Sequence, residues 1–232
     1  DFLLSRPTVL SRVSLIQSRT FIALESPTRI LSHLKLKRPL SDEQLFLAQA
    51  AWAAFRNATP EAWAGLLRYD TSALPFLRAA IQRHLEELPD VRTGLTRTEH
   101  FILDMIHYNG VRTPGALFDM FEDYEEAAFM GNWSFWRILN ALTTGATPFM
   151  VGLKIRGFFP YFDDDEREVY LNSELKLTGM GVTSLAGMRD AVAFRQINRW
   201  MGGTHLTNYN CWRWDTENRR LTPPRRAISG QT

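Results

Sequence analysis

The residues best equipped for chemistry lie close together near the C-terminus. Residues 197–215 read INRWMGGTHLTNYNCWRWD, and hold His205, Cys211, Arg213 and Asp215 beside three of the chain's seven tryptophans. A histidine works as general acid or base near neutral pH, a carboxylate can orient it, and an arginine can clamp an anion. His205, Asp215 and Arg213 are therefore the catalytic candidates, in that order of roles. A Cys/His pair from Cys211 and His205 is a weaker idea. Cys211 sits beside Trp212 in a strand-like run, the setting of a buried, inert thiol. Gly202-Gly203 could turn backbone N–H groups toward an anion. A helix over 194–201 that ends in a left-handed glycine cap explains the same pair, and is the expectation adopted.

Other chemistries find no footing. The five histidines, His33, His84, His100, His107 and His205, show neither HExxH nor HxH spacing, and one cysteine makes no zinc finger. Asp163-Asp-Asp-Glu166 lacks the spaced ligand pattern of a calcium loop and reads as a solvated loop tip. No phosphate-binding glycine loop or nucleophile elbow occurs, so no cofactor and no metal is implied.

At 232 residues, 45% apolar and 22% charged, the composition is that of a globular protein with a sizeable core. The net charge of +2 hides a gradient: +5 over 1–40, −2 over 41–94, −6 over 95–190 and +5 over 191–232. A lone cysteine suits a reducing compartment, which makes the cytoplasm the expected location. The sequence has no run of eighteen apolar residues, so no membrane partner is expected. Residues 1–26, rich in Arg and Ser, read as the truncated end of something longer rather than as a targeting peptide.

The elements that must position these residues follow from local signals. Residues 9–16 and 21–24 are short β-branched runs, read as remnant strands of an incomplete α/β region spanning 1–40. Ser41 with Gln44 is a capping box opening a helix with Leu45, Ala48, Trp52 and Phe55 on one face. Thr59-Pro60-Glu61 opens a second helix, and Thr71 or Ser72 a third carrying Leu74, Leu77, Ile81 and Leu85. Together they predict a helical bundle over 41–94 with Trp52, Trp63 and Phe76 in its core. Thr96 with Glu99 caps the next helix, Thr113-Pro114 starts another, and 132–143 makes a third. Strands are expected at 149–155, 169–171 and 175–177 around an aromatic and acidic loop. Thr178 then leads into a short helix.

Three helices followed by strands is the order of a winged helix, and Leu175-Lys-Leu-Thr-Gly-Met-Gly-Val-Thr-Ser-Leu-Ala-Gly187 resembles the turn by which such domains leave the second wing strand. The expected class is α+β, mainly α. A winged-helix-like domain over 95–221 ends in the aromatic strand, with Trp200 and Trp212 anchored across it, and a disordered tail covers 222–232. If the domain reads DNA, Asn132, Arg137 and Asn140 on the third helix face the bases. The −6 charge of 95–190 and the apolar Trp133, Phe135 and Trp136 argue for a protein-interaction role instead. Nucleic-acid contact through the basic ends, with Arg219 and Arg220, is the alternative.

Ala48-Gln-Ala-Ala-Trp-Ala-Ala-Phe55, Asp70-Thr-Ser-Ala-Leu-Pro-Phe-Leu77, His84-Leu-Glu-Glu87, Gly94-Leu-Thr-Arg-Thr-Glu99, Phe129-Met-Gly-Asn-Trp-Ser-Phe-Trp136, Arg199-Trp-Met-Gly-Gly-Thr-His-Leu206 and Trp212-Arg-Trp-Asp215 occur in this order. The set resembles the C-terminal two-thirds of the bacterial domain-of-unknown-function 1835 proteins, over 13–221. The resemblance implies a cytoplasmic protein without an established activity. It also implies an α/β region with its own Asp and His motifs upstream of residue 1, of which 13–16 is the last strand. The favoured function is a non-catalytic interaction or regulatory module whose partner is a protein or that upstream region. The rival is an enzyme with His205 and Asp215 at the junction with that region.

Overall fold

The computed structural model describes residues 10, 12–20, 22, 25–127, 129–157 and 159–224. Of the strand expected at 21–24 only residue 22 is among them, and most of the tail, 225–232, lies outside them. Two short strands, β1 (Ser14–Leu15) and β2 (Arg38–Pro39), pair antiparallel around helix α1 (Pro27–Ser32). No residue of α1 is buried.

Helix α2 (Asp42–Phe55) opens with the capping box of Ser41 and Gln44, both hydrogen bonds present. Helix α3 (Glu61–Gly65) follows and runs on as a 3-10 turn through Arg68. Helix α4 (Leu77–Leu85) starts later than Thr71 or Ser72 suggest, because Asp70 Oδ1 accepts from the Ser72 amide and closes a turn there. Ala51, Ala54, Leu66, Ile81, Leu85 and Leu88 form the bundle core. Trp63 packs at its edge, whereas Trp52 and Phe76, expected inside, are exposed. Trp52 stacks on Phe55 of its own helix, and Phe76 lies at the N-cap of α4, ahead of its apolar face.

A second core is built on helices α5 (Arg97–Tyr108), α6 (Pro114–Tyr124) and α7 (Asn132–Leu142). The Thr96/Glu99 capping box and the Thr113-Pro114 start are both in place. Strand β3 (Met150–Val151), shorter than the expected 149–155, pairs antiparallel with β4 (Lys176–Leu177). Between them 169–171 is helical, not extended, as part of α8 (Asp164–Leu171). Its N-cap is Asp163, in a capping box with Glu166, so the acidic cluster lies on the positive end of a helix dipole. Thr178 caps helix α9 (Gly179–Leu185).

The C-terminal part departs most from expectation. In place of a helix over 194–201 there is one 3-10 turn, Ala191–Phe194, and then strand β5 (Asn198–Met201). Gly202-Gly203 turns the chain directly into β6 (Thr204–Thr207), with Trp200 opposite His205 and Met201 opposite Thr204. The pair does cap a helix, but a different one. The Gly203 amide donates to Phe55 O at 2.8 Å and Thr204 Oγ1 to Asn57 O at 3.3 Å, so the hairpin tip meets carbonyls left over at the end of α2. A second hairpin joins β7 (Arg213–Asp215) to β8 (Arg220–Thr222). Leu206, Trp212 and Trp214 are buried against the bundle core rather than across the three-helix unit. Trp200 is 66% exposed and anchors nothing. The result is an α+β fold, mainly α, with small antiparallel sheets, and among the described residues no helix is long and apolar enough to cross a membrane.

Candidate functional site

The catalytic candidates do not form one constellation. His205 Nε2 hydrogen-bonds Asn198 Oδ1 at 2.8 Å, and its ring stacks on Trp200 with centroids 4.5 Å apart. Asp215 is buried and accepts from the Asn218 amide, Asn218 Nδ2 and Arg220 Nε. The Asn218 hydrogen bonds, followed by that of Arg220, hold its carboxyl below the usual range. Arg213 spends its guanidinium fork on Asp190, at 3.0 and 2.7 Å. Cys211 is buried, and burial pushes its thiol up, away from the reactive thiolate. Each group has its own partner, and no hydrogen bond links His205, Arg213 and Asp215 to one another.

The nucleic-acid candidates are also dispersed. Asn132 is exposed in the first turn of α7, and Asn140 uses its amide to hold Gly157 O at 2.9 Å. Arg219 lies in the β7–β8 turn with φ of 48°, and Arg220 is matched to Asp215 at 3.0 Å. Arg137 alone faces a concave surface.

That surface is a groove of about 1140 Å³ between α7 and the segment entering β5. Phe135, Trp136, Leu139 and Leu142 turn α7 onto its core, which leaves Ser134, Arg137, Ile138 and Ala141, spaced one helical face apart, as the first wall. Residues 193–200 make the second wall. Arg195 fixes it, with Nη1 and Nη2 on the two oxygens of Glu99 and Nη2 also on Gly94 O. Asn208 accepts from the Ile197 amide and donates to Arg195 O, each at 2.9 Å. Burial works to raise the Glu99 carboxyl, but the Arg195 charge and its hydrogen bonds overcome this and hold it below the usual range.

Of the three guanidinium groups lining the groove, only Arg195 is matched by a carboxylate, that of Glu99. Arg199 donates to a neutral carbonyl, Glu87 O, and keeps its charge. Arg137 is exposed and has no hydrogen bond or ion pair among the described residues. At the rim stands the exposed Trp200, braced from behind by His205. Strand β5 pairs with β6 alone, so its other edge is unpaired among the described residues. The groove therefore offers the free guanidinium of Arg137, the charge of Arg199 tethered to Glu87 O, an aromatic plate and, along β5, a strand edge.

No family model, curated protein or solved structure matches this chain.

The groove's own residues have to carry the reading. Among the described residues no group of three His, Cys, Asp or Glu side chains could hold a metal ion. The sequence pattern conceals Asn198, Arg199 and Trp200 as a wall, because 194–201 also fits a helix ending in a glycine cap. The available signal was a two-residue Gly-Gly link between two four-residue runs, which is also a hairpin signature.

Proposed function

We propose that this chain is a non-catalytic recognition module that holds an extended, acidic segment of a partner protein in the groove between α7 and β5. The observation that carries the proposal is that α7's outward face and 193–200 wall the same groove. A recognition helix must enter a DNA groove roughly 12 Å wide with its outward face bare, whereas the outward face of α7 shares its groove with 193–200. An extended peptide fits such a slot. It can add to the free edge of β5 through main-chain hydrogen bonds, placing alternate side chains toward Arg137 and Trp200. The order α5, α6, α7, β3, α8, β4 is compatible with a winged-helix-like build in which a helix separates the two wing strands, and the resemblance to domain-of-unknown-function 1835 proteins adds no activity to this reading. A bacterial cytoplasmic location agrees with the unpaired Cys211. The enzyme reading has less support, since His205 braces Trp200 while Asp215 and Arg213 serve turns and ion pairs.

The test is selection of a random-peptide library on the full chain, followed by anisotropy titration of the selected peptides. Acidic residues beside a bulky apolar one should be enriched. Arg137→Glu should weaken binding about ten-fold or more, the worth of one charge-assisted hydrogen bond. Peptides without acidic preference, or binding indifferent to Arg137→Glu, would refute the proposal. Binding of a DNA duplex at low salt that disappears in Arg137→Glu would move the function to nucleic acid.

A further inference from the structure

A second cavity, of about 640 Å³, lies on the far side of α5 from Arg195 and is bounded by the loop 90–96, the end of α6 and the β7–β8 turn. Its size falls within the roughly 300–1,000 Å³ of small-molecule sites. The floor is apolar: Phe101 is buried, Met105 is half-buried, and the Tyr124 ring lies 4.9 Å from that of Phe101.

Two polar side chains on α5 face this cavity without a partner. Asp104 is half-buried, one turn along α5 from the half-buried His100, and neither makes a hydrogen bond or ion pair among the described residues. Asp104 thus presents an uncompensated negative charge to the cavity beside an apolar wall. The other charges do not supply the missing cation. Arg97 is taken by Glu86 at 2.6 Å, and Asp215 by Arg220. Asp90 caps its own turn by accepting from the amides of Arg92 and Thr93. Glu217, exposed on the β7–β8 turn, adds a second carboxylate without a partner. Arg92 is the one lining cation without a carboxylate, so negative charge prevails. The aromatic wall already accepts a guanidinium, since Arg97 lies over the Tyr124 ring at 5.4 Å.

We infer that this cavity binds a small organic cation, an ammonium or guanidinium joined to an apolar or aromatic body. The charge lies between Asp104 and Glu217, and the body packs on Phe101, Met105 and Tyr124. Cavity, aromatic floor and unpartnered carboxylate are separate observations that ask for the same ligand. The site is distinct from the groove and does not depend on the function proposed there.

Calorimetric titration of the full chain with 2-phenylethylammonium and with butylguanidinium tests this, with 2-phenylethanol as the uncharged counterpart. Both cations should bind saturably, and the alcohol at least ten-fold more weakly. Asp104→Asn should lower cation affinity ten-fold or more without changing the alcohol, with circular dichroism verifying the fold. Glu217→Gln, on an exposed turn that folding does not depend on, should lower it by a smaller factor. The inference is overturned if neither cation binds, if the alcohol binds as tightly, or if both variants bind the cations like the wild type.

Discussion

Replacing Gly203 with alanine probes the contact on which the groove's second wall depends. A Cβ at this position would stand 1.9 Å from Arg56 O, 2.3 Å from the Arg56 carbonyl carbon and 2.7 Å from Asn57 O, all backbone atoms at the end of α2. Carbon contacts prefer about 3.5 Å, so the hairpin must withdraw by roughly 1.5 Å. No rotamer change can relieve the clash, because no side chain is involved. Overpacking of this kind costs about 1–3 kcal/mol. Withdrawal also breaks the 2.8 Å bond from the Gly203 amide to Phe55 O, which adds about 1 kcal/mol. Gly203→Ala should therefore lose about 2–4 kcal/mol, a large share of the roughly 5–15 kcal/mol that keeps a domain folded. Urea unfolding followed by tryptophan fluorescence measures it, provided the slope is unchanged.

Gly202→Asn separates steric from conformational cost. Gly202 has φ of 58°, which asparagine tolerates better than most residues, but its Cβ would lie 2.2 Å from Phe55 O. It should still be strongly destabilising. A loss within about 0.5 kcal/mol for both variants, the size usual at open surface, would refute the account of the hairpin tip as the cap of α2. Peptide affinity should fall in Gly203→Ala as well, although no groove side chain is altered, because β5 moves with the turn.

The two tryptophans opposed in their burial should behave oppositely: Trp212→Ala, at 6% exposure in the bundle core, should cost about 3–5 kcal/mol in urea unfolding, and Trp200→Ala about 0.5 kcal/mol or less while weakening peptide binding. Removing Arg195 leaves Glu99 buried and unmatched, so Arg195→Ala should cost about 3–5 kcal/mol at neutral pH, read from the same curves. Because the folded Glu99 carboxyl is held below its ordinary value, the pair's contribution is full above about pH 4.3, the ordinary glutamate value, and is lost as pH falls through the depressed folded one. The pH–stability curve of the Glu99→Gln, Arg195→Met double variant should accordingly be flatter in acid. Cys211 should react with a disulfide reagent only on unfolding, and rapid stoichiometric labelling of the native chain would contradict its burial.

Local signals carried the helical half of the fold. Ser41 with Gln44, Thr96 with Glu99 and Thr113 with Pro114 are short-range devices, and each starts its helix where its hydrogen bonds require. Asp163 with Glu166 is the same device, but four consecutive acids ahead of Arg167 leave α8 no apolar stripe beyond Val169, Tyr170 and Leu171, which alone read as a strand. At Gly202-Gly203 a helix cap and a hairpin turn use the same residues, and the decision falls to a contact with Phe55, nearly 150 positions earlier. Trp52 has helical spacing, yet spacing fixes only a face, and whether another element covers that face is a tertiary matter. The groove was illegible for the same reason: Arg137 and Arg199 are brought across from each other by the packing of two cores, and neither neighbourhood mentions the other.

The charge gradient takes on a different meaning once the partners are known. A basic C-terminal segment beside an acidic middle looks like a chain with one end offered to phosphate. In the fold, Arg195 crosses to Glu99 and Arg213 to Asp190, while Arg220 turns back on Asp215. At the same junction Arg83 of α4 bonds Glu87 and, bidentately, Glu125 at the end of α6, with Arg97 on Glu86 beside it. The opposite charges of the segments are thus largely used between the two cores, where each buried guanidinium has a carboxylate and leaving either alone would be costly. Phosphate binding needs many free cations along one track. Among the described residues of 191–224 only Arg199 and Arg219 remain unmatched by a carboxylate, and only Arg199 faces the groove with Arg137. Two cations, one of them tied to Glu87 O, beside an aromatic plate and a strand edge fall short of a nucleic-acid track, and this is what favours the short acidic peptide proposed above.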